Sequence, residues 1–324
     1  MSDFTKIAAT DNEGGGPCVN DVGPDESGHY TKMVHTGIQQ GMMSSVAEVW
    51  LVLVQGLGMD YSEAAAVLRS WNEIGPLKGC FLVGSGVDSL QAQDQSGSRV
   101  LSHEAIAHHV PAATIISAHL FRCAPADVYR LREDKGGFEG CAQPKKIFLH
   151  HSSIPAFLKA FAVTVYFCFL ACHTQGLNLL RAADKSKGWN LNYGRIIQLW
   201  RGSSDTIIQA PRVLEVLESI YQRPDYAQDD LLSNPEISGE LHRCFSYVKM
   251  VVLKSIEADM FIPAISQTLE YYKYSTSANL PTQFMEAQLD YFGQYRRTSF
   301  SQQELQTGLL VEGIVVRDFA PCGQ

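Results

Sequence analysis

From Ser27 to Gly58 the chain reads SGHYTKMVHTGIQQGMMSSVAEVWLVLVQGLG, with Met33, Ile38, Val46, Val49, Leu53 and Leu57 recurring at mostly helical spacing. The pattern predicts one long helix opened by a turn at Gly28. Tyr61 to Trp71 predicts a short helix capped by Ser62, and residues 103–109 and 112–122 predict two helical pieces broken at Pro111. Ile154 to Ala183 is apolar nearly all round, as the central helix of an all-α domain would be. Residues 205–222, 237–260, 267–274 and 282–292 complete the helical set, with a polar loop over 133–146. Residues 1–27 are rich in Gly, Asp, Asn and Pro and read as a leader. The domain proper is expected over 28–297, followed by a weakly patterned tail, 298–324, in which VEGIVV is an extended segment.

Composition narrows the class. With 45% hydrophobic and 19% charged residues the chain is globular, with a sizeable core. A net charge of −8 argues against nucleic acid and against an anionic membrane surface as partners. The start, MSDFTKIAATDNEGGG, has no apolar signal core, so the cytoplasm is the expected compartment. The most apolar run, Phe161 to Cys172, is too short to span a bilayer and reads as a buried helix. Eight cysteines are scattered without a CxxC pair; Cys168 and Cys172 read as small apolar fillers, and no metal site is expected.

Two glycine clusters fail as phosphate loops. Gly14-Gly15-Gly16 follows no predicted strand, and Gly84-Ser85-Gly86, although residues 80–83 before it read as a short strand, has neither the following helix nor the acidic residue of a dinucleotide fingerprint. The sharper candidate is on the first helix, where Lys32, His35 and Gln39 stand at i, i+3 and i+7 and place an amine, an imidazole and an amide along one face. Such a set is either a site or a solvated edge. Lys32 alone suits a snorkelling lysine, and His35 alone a hydrogen-bonded core histidine.

Three blocks carry a resemblance. GPCVNDVGPDESGHYTKMVHTGIQQGM, then GWNLNYGRIIQLWRG over 188–202, then QLDYFG over 288–293 resemble, in order, the hinge-helix, GWxLNYG and DYFG blocks of the 6-phosphogluconate dehydrogenase family. The resemblance implies that family's all-α C-terminal domain and a homodimer whose tails intertwine. In the family a sugar-acid phosphate is oxidised with NADP, the keto intermediate is decarboxylated, and an enediol is protonated. A lysine is the general base and a glutamate on the same helix the general acid.

By this resemblance Lys32 is the base and His35 is retained, while the acid is replaced by Gln39, an amide that cannot deliver a proton at neutral pH. The family's asparagine becomes Thr36, and its phosphate-contacting tyrosine becomes Gln40. A phosphate-facing lysine becomes Arg99, and the phosphate-binding arginine is kept as Arg122. The arginine and histidine flanking the partner's DYFG motif become Leu289 and Tyr295, with Arg296 and Arg297 close by. The stretch ahead of Ser27 is too short for a dinucleotide-binding domain. These losses lead to the expectation of a cofactor-independent, non-redox enzyme reusing a less charged cleft for an apolar small molecule, as a cyclase, isomerase or lyase of secondary metabolism. The alternative is an inactive relative that dimerises with and regulates a full-length dehydrogenase.

Overall fold

A computed structural model of the chain describes residues 21–86, 104–123, 143–201, 206–223, 230–299, 310–311 and 314–315. They fall into two compact units, one ending at Ser275 and the other beginning at Thr276. The first unit is built of α1 (Ser27–Leu51), α2 (Tyr61–Glu73), α3 (Phe81–Ser85), α4 (Ala113–Cys123), α5 (Ile154–Lys187), α6 (Tyr193–Arg201), α7 (Pro211–Tyr221), α8 (Pro235–Glu257) and α9 (Pro263–Thr276). The second holds α10 (Thr282–Ser299) and a minimal antiparallel ladder, Leu310–Val311 against Ile314–Val315. The fold is all-α, as the hydrophobic periods predict.

α5 is the axis of the first unit, packed on one side by α1 and on the other by α8. It runs past the predicted Ala183 to Lys187, and ends where Gly188 turns into the left-handed region (φ +69°) and its N–H meets the Asp184 carbonyl at 2.7 Å. At 34 residues this helix is long and apolar enough, by length and composition alone, to cross a bilayer, so the shorter Phe161–Cys172 run understates it. Its environment is nonetheless protein. Phe161, Phe167, Phe169, Leu170 and Leu177 are fully buried, and so are polar groups with protein partners. Thr164 and Thr174 donate to the Ala160 and Leu170 carbonyls, and Gln175 exchanges hydrogen bonds with the Thr114 N–H and hydroxyl on α4.

Two glycines let α1 and α5 cross closely. A Cβ on Gly176 would fall 2.6 Å from two Ile38 side-chain carbons, and one on Gly41 would fall 2.6 Å from Cys172 Sγ. No larger residue fits either position without displacing its neighbour.

The helix ends explain where the periodic reading slips. α2 is capped by Asp60 rather than Ser62: Asp60 accepts from the Glu63 N–H at 2.8 Å, and Glu63 accepts from the Asp60 N–H at 2.9 Å, a reciprocal capping box. α7 and α8 each begin on a proline, Pro211 and Pro235, whose ring suits the first helical position. α1 ends in a π-helical turn, Val52–Gly56, instead of continuing to Gly58. Residues 80–83 form no strand; Phe81–Ser85 is a helical turn, with Asn72 packed against Gly84. Of the polar loop over 133–146, only the part from 143 lies within the described residues.

Candidate functional site

α1 carries five of the predicted site residues, and the structure separates them by depth. Lys32 is exposed; Thr36 and Gln39 are half-buried; His35 and Gln40 are buried. Thr36 turns its hydroxyl back to the Lys32 carbonyl (3.0 Å), and the Gln39 amide donates to Met43 Sδ (3.6 Å). The amine, imidazole and amide thus share a helix, but form a ledge with Lys32 outermost and His35 against the core.

His35 is held neutral. Burial pulls its pKa down to about 3, assisted by the positive Lys32 and by His173. His173, on α5, was not among the sequence candidates. Its ring is fully buried, and burial lowers its pKa to about 4 against the pull of the Phe169 and Ile208 backbone. Trp200 of α6 packs edge-on to both imidazoles, with ring centroids 6.2 Å from His35 and 6.3 Å from His173. The sequence signal for this cluster was an isolated histidine inside an apolar helix, which only the helix crossing turns into a neighbour.

Residues 188–201 support this cluster. The Tyr193 hydroxyl donates to Asp184 (2.8 Å) and its ring stacks on Tyr221, while Asn192 Oδ1 accepts from the Arg195 N–H (3.0 Å). Arg201 pairs with Glu218 at 2.5 Å, tying α6 to α7. Trp200 is thereby fixed in place.

Arg122 lies exposed in the last turn of α4. Arg99 lies outside the described residues, and Tyr295 is placed only as a backbone position of α10, in the second unit. A cleft of about 470 Å³ is lined by Arg212, Glu215, Glu236, Glu240 and Arg243 among others, all on α7 and α8. No residue of α1 lines it.

A nicotinamide dinucleotide does not fit the described residues. Its pyrophosphate needs a strand, a glycine turn and a helix N-terminus in succession, and the half-fingerprint Gly84-Ser85-Gly86 closes a helical turn instead. Among the described residues no group of three or more His, Cys, Asp or Glu side chains could hold a metal.

This arrangement is that of a helical domain presenting an amine over a buried, neutral imidazole. The chain belongs to the 6-phosphogluconate dehydrogenase family: the family's C-terminal domain matches residues 28–307. It is 33% identical to the decarboxylating 6-phosphogluconate dehydrogenase of Emericella nidulans, covering 88% of this chain and 63% of that protein. It is 26% identical to the NADP(+)-dependent, decarboxylating enzyme of Bacillus subtilis, covering 88% and 62%. The solved 6-phosphogluconate dehydrogenase of Plasmodium falciparum, described in apo form and with NADP+ or 6-phosphogluconate, matches with a TM-score of 0.77. That match has 27% identity over 90% of this chain and 63% of the other. The chain therefore spans less than two thirds of the length of these relatives.

These relatives overturn the expectation of a cyclase or isomerase of secondary metabolism acting on an apolar molecule. They are named as decarboxylating dehydrogenases, and the solved one binds a charged sugar-acid phosphate. The physical reason lies in how the replacements were read. Gln39, counted among the replacements that make the cleft less charged, stands half-buried on a ledge that still carries the exposed Lys32 amine.

Proposed function

We propose that this chain carries the substrate-handling, decarboxylating part of a 6-phosphogluconate dehydrogenase-type reaction, holding a phosphorylated sugar acid against α1. The observation that supports it is the exposed Lys32 amine one turn from a buried, neutral His35, on the helix that matches the family. In this reading the chain acts on the keto acid, where the Lys32 ammonium gives a proton to the keto oxygen as the carboxyl leaves and His35 orients that oxygen. In the keto acid the bond to the carboxyl carbon breaks, CO2 leaves, and the electron pair passes to the enediol, which then needs a proton. Gln39 stands where an acid would act and has none to give, so water must protonate the enediol. This part of the sequence of steps is non-redox, and no step is assigned here to the dinucleotide.

The test is calorimetric titration with 6-phosphogluconate, together with CO2 release from the corresponding keto-acid phosphate. The wild type is expected to bind and to release CO2, and Lys32→Ala to lose roughly 10²-fold or more of the rate, the range of a general acid. Release no faster than in buffer would sink the reading. A homodimer belongs to the same proposal. Phe284, Met285, Leu289, Tyr291 and Phe292 form an exposed apolar stripe on α10 suited to a second copy, and sedimentation showing only monomer would remove that part. Cys80, Cys168, Cys172 and Cys244, all buried and unpaired, support a cytosolic setting.

A further inference from the structure

Just ahead of α5 the chain runs past the ends of two other helices. The Ile147 N–H donates to the Gly56 carbonyl, in the π-helical turn that ends α1, at 2.8 Å. The Lys145 N–H donates to the Ala258 carbonyl, just past α8, also at 2.8 Å. Helix ends leave carbonyls without partners inside the helix, so one short segment caps two helices that both pack on α5. Exposure alternates along it, the pattern of an extended chain: Lys146 and Phe148 face solvent, and Ile147 between them is buried. Ile147 Cδ1 and Met260 Cε each lie 3.1 Å from where a Gly56 Cβ would stand, so Ile147 fills the space that this glycine leaves. Lys146 reaches over Gly58, whose missing side chain makes room for its amine. Lys145 pairs with Asp259 at 2.5 Å, with most of the lysine side chain in water. Both lysines thus stand near helix C-termini, where the dipole favours a cation.

We infer that residues 145–147 are a clasp that opens and recloses as one unit while the helices it joins stay folded, and that this opening decides when a protease reaches the Lys145–Lys146 pair. The two backbone bonds are separated by a single residue, so neither donor can move far without drawing the other with it. Little else holds the segment: one buried side chain, Ile147, and one ion pair open to water. α5, by contrast, is buried along most of its length. A segment with so little buried apolar surface opens at lower cost than the core around it. The lysine side chains are exposed, yet the backbone on either side of Lys146 is engaged while the clasp is closed. Cleavage must therefore wait for opening, and its rate follows the population of the open form. The geometry is independent of what α1 binds.

The test is amide hydrogen exchange of the full chain, resolved to single residues and corrected for the intrinsic rate of each amide. Lys145 and Ile147 are expected to share one protection, about 100-fold or more below that of Leu170 and Leu179 on α5. Ile147→Ala removes the buried anchor and should speed exchange at both amides by the same factor, about 10–100-fold. Trypsin cleavage after Lys146 in the folded protein, followed by mass spectrometry, should speed by that factor too. Asp259→Asn removes only the ion pair, and asparagine suits the left-handed backbone there (φ +54°). It should speed both amides together by up to about 5-fold. Unequal protection at the two amides, protection as high as that of α5, or cleavage that does not follow exchange would overturn the inference. If Ile147→Ala does not fold, the wild-type rates and Asp259→Asn decide.

Discussion

Glu48→Gln separates two roles of one buried carboxylate. Glu48 sits on α1, yet its oxygens accept from the N–H groups of Ala264 (2.7 Å) and Ile265 (2.9 Å), capping the buried start of α9 from 216 residues away. Ser44 adds a hydroxyl at 3.2 Å. Burial pushes the carboxyl up to about 7 although these bonds pull it down. An acid whose folded pKa is raised holds its proton more tightly in the folded state. Its contribution to stability is therefore complete below the unfolded value, 4.5, and is lost as the pH rises through about 7. From about pH 5 to about pH 8 the loss amounts to roughly 2.5 kcal/mol. Glutamine cannot titrate, so the variant escapes that loss. It keeps one accepting oxygen but turns an NH2 toward a backbone N–H, costing roughly 1–3 kcal/mol at every pH. Urea denaturation followed by circular dichroism should show the wild type ahead near pH 5 and the gap closed or reversed near pH 8. A gap that does not vary with pH would refute the reasoning.

The histidine pair titrates in the opposite sense. Folded values of about 3 and about 4 mean that stability from the neutral rings is complete above about 6.5 and lost as the pH falls toward them. In a Glu48→Gln background, acidification from about pH 7 to about pH 5 should cost about 2 kcal/mol per histidine, and His173→Gln should remove about half of that slope. Gly176→Ala should destabilise by roughly 1–3 kcal/mol, because its Cβ meets Ile38 at 2.6 Å. In the same denaturation assay Ile38→Ala should cost less in that background than in the wild type, and simple additivity would argue against the contact. Gln39→Glu should restore a proton donor and speed enediol protonation by roughly 10²–10⁴-fold with unchanged sugar-acid affinity. An unaltered rate would remove Gln39 from the reacting face.

Much of the helical architecture could be read along the chain because its elements are long and their apolar positions periodic. Ile154 onward is apolar on every side, which only the middle of a helical domain accommodates. Errors gathered at element ends. Ser62 and Asp60 are both good caps, and the choice fell to the reciprocal Glu63 contact, which periodicity does not register. The short Phe81–Ser85 turn carries β-branched and aromatic residues, so its composition suggested a strand that tertiary packing overrode. Of the candidate site, spacing and resemblance both pointed to Lys32 and His35 but not to their depths, since helical spacing fixes neighbours on a face and not what lies above it.

The order of residues by itself determined that this chain forms helices, where the longest of them run, and that α1 presents an amine, an imidazole and an amide together. Those are consequences of local periodicity and side-chain chemistry, which act over a few turns. Tertiary structure decided what no local signal holds: that His35 and His173 both meet Trp200, that Glu48 caps a helix 216 residues distant, and that glycines at 41 and 176 let α1 and α5 approach. Each of these depends on which helix faces which. That is settled by the burial of whole apolar faces and by close approach at particular residues, a property of the assembled core.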